Sequence, residues 1–275
     1  MLPGTRIGTV DPVVVRGVGL PDDVVIVAGM TDGCTAQLAA GAVHDGDTMG
    51  VLGTTLVLKA VTGTPIESAD GAVYSHLAPD GRYWAGGASN SGAGALATEF
   101  AGADLAGMDK QVTDTVASYV RYPLSVAGER FPVSDRHLPP LTDGEPRSRL
   151  DAYRALLEGV AFVERLGLER LRQLGVTPCR HVMAGGATAS QVWNRIRATV
   201  LAPLVPVSVA RSASSSLGAA ILAAHALTDG TPLTETVDRL VPRLEPVETI
   251  AAQRNSLDDA YRRFVDLVEG SLHHA

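Results

Sequence analysis

Apolar runs, helical repeats and glycine-rich breaks alternate along the chain, and the alternation predicts its elements. Residues 24–28 form a continuous apolar run ended by Gly29. Such a run predicts a strand buried on both faces of a parallel sheet. Before it, Val13-Val14-Val15 reads as a brief strand and residues 17–23 as a turn. After it, the small residues 34–42 predict a helix, so Met30-Thr31-Asp32-Gly33 becomes the loop of a strand–loop–helix unit. Residues 49–61 are β-branched and aliphatic around Gly53-Thr54-Thr55, which predicts two strands joined by a tight turn. Residues 73–77 and 82–85 read as further strands, and the Gly-, Ser- and Asn-rich residues 86–94 as loop. Five prolines among residues 121–147 argue for an ordered loop or linker there. From Ser148 onward Leu150, Tyr153, Leu157, Val160, Leu168, Leu171 and Leu174 recur at helical spacing, with Gly175 as the stop. A strand at 181–184, a Gly185-Gly186 turn, a helix at 188–201, a strand at 205–209 and helices at 212–227 and 257–267 complete the pattern. Strands alternating with helices predict an α/β architecture.

Composition narrows the function classes. The chain has 275 residues, 45% of them hydrophobic and 19% charged, enough apolar material for a sizeable core. A formal charge of −7 lacks the basic footprint of a nucleic-acid binder, although backbone amides can still hold a phosphate locally. Two cysteines, Cys34 and Cys179, exclude a disulfide framework and a cysteine-based zinc site, and fit a reducing cytoplasm. The first residues lack a signal-peptide profile, and no apolar run is long enough to span a membrane. The histidines show no metal-ligand spacing, and His273 and His274 sit at the tail.

Four places can carry chemistry. Asp32 follows a strand, where the carboxyl edge of an α/β sheet gathers ligand groups; it is a proton acceptor for a substrate hydroxyl or the cap of the next helix. Gly53-Thr54-Thr55 offers free amides and hydroxyls for a terminal phosphate, or is an ordinary hairpin. Gly185-Gly186-Ala187-Thr188-Ala189-Ser190 lets a ligand lie against the backbone at a helix start, or is a tight turn. Ser214-Ser215-Ser216-Leu217-Gly218-Ala219-Ala220 opens a helix with small residues, for a ligand or for close helix packing. Cys34 reads as a small buried residue more readily than as a catalytic thiol.

The order of these motifs is more specific than any one of them. Gly29-Met30-Thr31-Asp32, Leu52-Gly53-Thr54-Thr55, Gly128-Glu129-Arg130-Phe131-Pro132, Leu157-Glu158-Gly159-Val160-Ala161, Ala184-Gly185-Gly186-Ala187 with Trp193, and Leu217-Gly218-Ala219-Ala220 form a series that resembles the FGGY carbohydrate kinases. Val73-Tyr74-Ser75-His76, Trp84-Ala85-Gly86-Gly87-Ala88-Ser89-Asn90 and Tyr122-Pro123-Leu124 are similar to the D-ribulose kinase branch of plants and cyanobacteria, once assigned as xylulose kinases. The resemblance spans residues 4–224 and implies the actin-like ATPase fold: two RNase H-like domains with ATP, Mg2+ and a sugar in the cleft between them. It implies that Asp32 is the general base on the sugar hydroxyl and that Gly53, Thr54 and Thr55 are the second phosphate loop. It further implies that Gly185, Gly186, Ala187 and Ser190 line the adenosine and that Gly218 lies beside the nucleotide.

One family feature has no match here. The opening strand and D-x-G-T/S phosphate loop of the family's amino-terminal domain are absent, and about 150–200 residues separate this chain from the family's size. The expectation is therefore that residues 1–45 are a remnant of that domain carrying the acid, and residues 46–275 the nucleotide-binding domain. A strand at 24–28 would then lack sheet neighbours, which favours a homo-oligomer or a separately encoded amino-terminal domain as partner. The implied reaction is phosphorylation of a ketopentose, D-ribulose first and D-xylulose next. Its rivals are a nucleotide-binding module without catalysis and an actin-like ATPase unrelated to sugars.

Overall fold

The computed structural model describes residues 1–112, 116–228 and 230–272; His273 and His274 lie outside them. The chain opens with an antiparallel ribbon of β1 (Arg6–Thr9) and β2 (Val25–Val27), joined through helix α1 (Pro12–Val18). This corrects two expectations. The valines 13–15 are helical because Asp11 caps the turn through Val13 N at 2.7 Å, Pro12 sets the first helical φ, and Gly19 ends it at φ +72°. Residues 25–27 belong to no parallel sheet and are not buried: they pair only with β1, and Ile26 is 43% exposed. An apolar run states only that a segment can be buried, and here the segment stays partly exposed in a two-stranded ribbon.

Helix α2 (Asp32–Ala39) then leads to the main sheet. Strands β3 (Asp47–Leu52) and β4 (Leu56–Thr62) form the expected hairpin, followed by β5 (Tyr74–Leu77) and β6 (Tyr83–Ser89). β6 runs through glycines expected to be loop. A side chain on Gly86 would collide with the Leu58 carbonyl and one on Gly87 with the Phe131 ring, so these glycines admit close backbone approach within a strand. Short helices α3 (Ala93–Glu99) and α4 (Leu105–Gln111) and the small pair β7 (Val120–Tyr122) and β8 (Leu141–Asp143) surround the proline-rich stretch.

The long helix α5 (Arg149–Gln173) starts at a Ser148 cap, which accepts from Asp151 N, and stops before Gly175 at φ +100°, as expected. It leads to β9 (Arg180–Ala184), α6 (Gln191–Leu201), β10 (Val207–Val209), α7 (Ser215–Ala226), α8 (Leu233–Leu240), β11 (Glu245–Pro246) and α9 (Arg254–Leu272). The seven-stranded sheet has the order β11-β10-β9-β3-β4-β6-β5, with β3, β9 and β10 parallel and the β3-β4-β6-β5 half antiparallel.

Helices cover both faces. On one face Leu56, Leu58 and Ala60 pack with Leu157, Phe162, Trp193 and Phe264 of α5, α6 and α9. On the other, Cys34 and Leu38 of α2 pack with Val61, Trp84 and Ile221. α2 therefore shares its core with the sheet and with α7. No helix among the described residues is long and apolar enough to cross a membrane.

Candidate functional site

Parallel neighbours bring two of the sequence motifs together. β3 and β9 run side by side with Val51 opposite Ala184, so Gly53-Thr54-Thr55 and Gly185-Gly186 leave the sheet at the same carboxyl edge. Gly185 has φ +92°, and a side chain there would collide with the Leu52 carbonyl. Only glycine lets the two turns touch.

The 53–55 turn is braced from behind. Gly53 N donates to Thr55 O at 3.0 Å, Ala93 N to Gly53 O at 2.9 Å, Gly94 N to Thr54 O at 2.9 Å, and Leu56 N to Ser91 O at 2.8 Å. Glu129, buried in the Gly128-Glu129-Arg130-Phe131-Pro132 motif, holds the bracing loop. It accepts from Ser89 Oγ at 2.6 Å, Asn90 N at 2.6 Å and Tyr122 Oη at 2.8 Å. Burial, then the Glu129 charge, push the Tyr122 hydroxyl well above its usual range, so it stays a donor. Facing outward, the amides and hydroxyls of Thr54 and Thr55 meet no acceptor or donor among the described residues. Four free polar groups on a braced turn suit a phosphate.

The second turn is a single 3-10 turn, Gly186–Ala189. Its first amides, those of Gly186 and Ala187, precede its first hydrogen bond and are open to a ligand. Ser190 is committed elsewhere: its Oγ accepts from Trp193 N at 3.1 Å, capping α6, and donates to Asp109 Oδ2 at 2.7 Å. Asp109 also accepts from Tyr153 Oη at 2.6 Å, tying α4 to α5 and α6. Beneath the turn Trp193 Nε1 donates to Leu157 O at 3.0 Å.

Asp32 reaches the same edge through α7. That helix follows β10, which is parallel to β9, so its start lies at the carboxyl edge. Ser215 Oγ donates to the Asp32 carbonyl at 3.1 Å. One turn further, Gly218 packs directly on Thr35: a side chain there would overlap the Thr35 carbonyl. Gly218 thus serves the crossing of α2 and α7. Thr31 occupies the cap position of α2, and Asp32 is the first helical residue, exposed, with Oδ1 accepting from Gly33 N at 2.6 Å. A carboxylate is favoured in that first turn by the helix dipole, and its second oxygen is free to face a substrate.

Deeper in the fold, an ionic core fixes the strands that carry the turns. Glu164 of α5 binds Arg197 of α6 at 2.6 and 2.7 Å and lies 3.2 Å from His181 Nε2 of β9, all fully buried. His181 Nδ1 meets Thr48 Oγ1 of β3 at 2.9 Å. Burial pushes the Glu164 carboxyl up, but Arg197 and His181 outweigh it and hold the group at about 2.

Sequence reading missed the roles of Glu129, Asp109 and Lys59. The first two act across long sequence separations that no local pattern records. Lys59 lies on β4 with Nζ 3.3 Å from Cys34 Sγ, and a lone lysine in an apolar strand was its only signal. Among the described residues no three His, Cys, Asp or Glu side chains gather to hold a metal ion. A magnesium ion held through phosphate oxygens and one carboxylate needs no such cluster.

Residues 48–227 match the FGGY family of carbohydrate kinases, C-terminal domain. A xylulose kinase from Staphylococcus epidermidis is 24% identical over 277 residues, covering 96% of this chain and 54% of the relative. A gluconokinase from Bacillus licheniformis is 26% identical over 235 residues, covering 78% and 46%. The crystal structure of xylulose kinase from Rhodospirillum rubrum superimposes with a TM-score of 0.82 at 25% identity, covering 99% of this chain and 57% of that one. The chain thus spans about half the length of the curated relatives it matches.

Proposed function

The chain belongs to the FGGY family of carbohydrate kinases, and on that premise we propose that it forms the nucleotide-binding half of a kinase that phosphorylates a terminal hydroxyl of a ketopentose. The observation that carries this reading is the contact of the two glycine turns at the edge where α2 begins. D-Ribulose is the first candidate substrate and D-xylulose the second. The relatives named xylulose kinase support a ketopentose. The ribulose preference rests on the segments Val73-Tyr74-Ser75-His76 and Trp84-Ala85-Gly86-Gly87. In this reading residues 1–45 complete an amino-terminal domain, and residues 46–275 hold the nucleotide.

The roles follow from the groups left free. Asp32 takes the proton of the sugar hydroxyl as its oxygen bonds to the γ-phosphorus and the bond to the β–γ bridging oxygen breaks. Thr54 and Thr55 hold the terminal phosphates through amides and hydroxyls, and Gly186 and Ala187 present their amides to the nucleotide. Mg2+, bound with ATP, supplies neutralisation of the phosphate charge. Exclusion of water from such a reaction requires closure over the cleft. The exposed Ile7, Val13, Val14, Val18 and Ile26 of the ribbon offer an apolar face for an amino-terminal domain or a second copy.

A second reading is nucleotide binding without turnover. Calorimetric titration with Mg-ATP, then with D-ribulose present, separates the two. Binding of ATP with phosphorylation only after addition of an amino-terminal domain supports the kinase half. No binding of either ligand refutes the proposal. In the complete enzyme Asp32→Asn is expected to abolish turnover and leave ATP affinity within about twofold; loss of ATP binding instead would remove the base role.

A further inference from the structure

The chain holds only two lysines, Lys59 and Lys110, and the first is buried. Lys59 sits on β4, 6% exposed, on the sheet face that α2 covers. Its Nζ donates to Cys34 Sγ at 3.3 Å, and Cys34 is itself 2% exposed. That thiol is the one hydrogen-bond partner of the ammonium among the described residues. The buried arginines, Arg154 and Arg197, face carboxylates instead, Glu158 at 2.5 Å and Glu164 at 2.6 Å. A thiol is a weak acceptor, so a buried ammonium held by it alone keeps most of its desolvation cost.

The pair is buried but shallow. Nζ stands 3.9 Å from where a Gly33 side chain would begin, and Gly33 is exposed. The missing side chain leaves a thin cover over the amine, which a molecule as small as dioxygen can pass. Beside Cys34 the packing is apolar, with Leu38, Val61 and Trp84. The other cysteine, Cys179, is free and exposed next to Gly46, so no second thiol is at hand to take the Cys34 sulfur into a disulfide.

We propose that Cys34 and Lys59 form a redox modification site, which dioxygen closes into a covalent S–O–N bridge. Cys–SH, Lys–NH3+ and O2 give Cys–S–O–NH–Lys, one water and one proton. The S–H bond, two N–H bonds and the O–O bond break, and S–O and O–N bonds form. Sulfur and nitrogen each lose two electrons; dioxygen takes up the four, one oxygen atom staying as the bridge and the other leaving as water. The amine in contact stops sulfur at the first rung of its oxidation, as a thiol or a backbone nitrogen does when it condenses with a sulfenic acid. The bridge replaces a buried charge by an uncharged link. It also ties β4 to the first turn of α2, which Asp32 opens.

The test is intact-mass spectrometry of the whole 275-residue chain, held in air-saturated buffer and, in parallel, without oxygen under a reductant. The air-exposed chain is expected to gain one oxygen less two hydrogens, about 14 Da, and to lose that gain on treatment with dithiothreitol. Proteolysis before reduction should yield one linked species joining the peptides of Cys34 and Lys59. Cys179→Ser should keep the gain, whereas Cys34→Ser and Lys59→Arg should abolish it. A chain that stays unlinked after exposure to oxygen overturns the proposal. So does oxidation of Cys34 to a sulfinic acid with Lys59 free, or a gain of the same size that persists in Lys59→Arg. Should Lys59→Arg fail to fold, the linked peptide of the parent chain decides by its presence or absence. The readout requires neither sugar nor nucleotide, so it stands apart from the kinase reading.

Discussion

Gly218→Ala tests whether the crossing of α2 and α7 holds Asp32 in place. The new methyl would overlap the Thr35 carbonyl and stand 3.0 Å from Thr35 Cα. Backbone cannot swing aside as a side-chain tip can, so the two helices must part by roughly 1 Å. Overpacking against backbone lies at the upper end of the usual range, about 2–3 kcal/mol, and alanine's better helix propensity returns about 1 kcal/mol. A net loss of about 1–2 kcal/mol remains, equal to a fall in Tm of roughly 2–8 °C for a chain of this size. Urea unfolding followed by far-UV circular dichroism reads the change. Gly270→Ala is the control: a methyl there on α9 meets nothing within 4 Å, so it should stabilise by about 0.5–1 kcal/mol. In the complete kinase the displaced Asp32 should lower turnover by about a hundredfold. A Gly218→Ala midpoint equal to the parent's, or a Gly270→Ala loss of the same size, would refute the reasoning.

Two further outcomes follow from the site's supports. Ser190→Ala removes the cap on Trp193 N and the bond to Asp109; a loss of about 1–2 kcal/mol is expected in the same unfolding assay. Glu164 is held at about 2 against an ordinary 4.5, so it binds its proton less readily folded than unfolded. Its stabilisation, about 3 kcal/mol, is complete above the ordinary value and is lost as pH falls from there toward 2; a parent chain whose urea midpoint is flat between pH 5 and pH 3 would contradict this.

Much of the fold was legible because its signals are local. The spacing of Leu150, Tyr153, Leu157 and Val160, bounded by Ser148 and Gly175, places α5 almost to the residue. The Gly53 turn between β-branched runs predicts β3 and β4. Three readings failed where local and global terms diverge. The valines 13–15 favour strand by propensity, but Asp11, Pro12 and Gly19 at their flanks make them a helix. The apolar residues 25–27 carry a core signature, yet lie in a two-stranded ribbon with one face open. Gly86 and Gly87 read as loop, because the reason for glycine there is the backbone of a neighbouring strand far off in sequence.

The site divides in the same way. Motif order along the chain was enough to assign the family and to single out Asp32, the Gly53 turn and the Gly185 turn, since turn chemistry and spacing are properties of short windows. Their meeting at one sheet edge came from the parallel pairing of β3 with β9, a contact across more than a hundred residues. The same holds for Glu129 bracing a turn that it does not adjoin, Ser190 capping α6, and Gly218 serving a helix crossing. A chain's pattern records what each segment can do; which of those capacities is used depends on the groups that folding brings within a few ångströms.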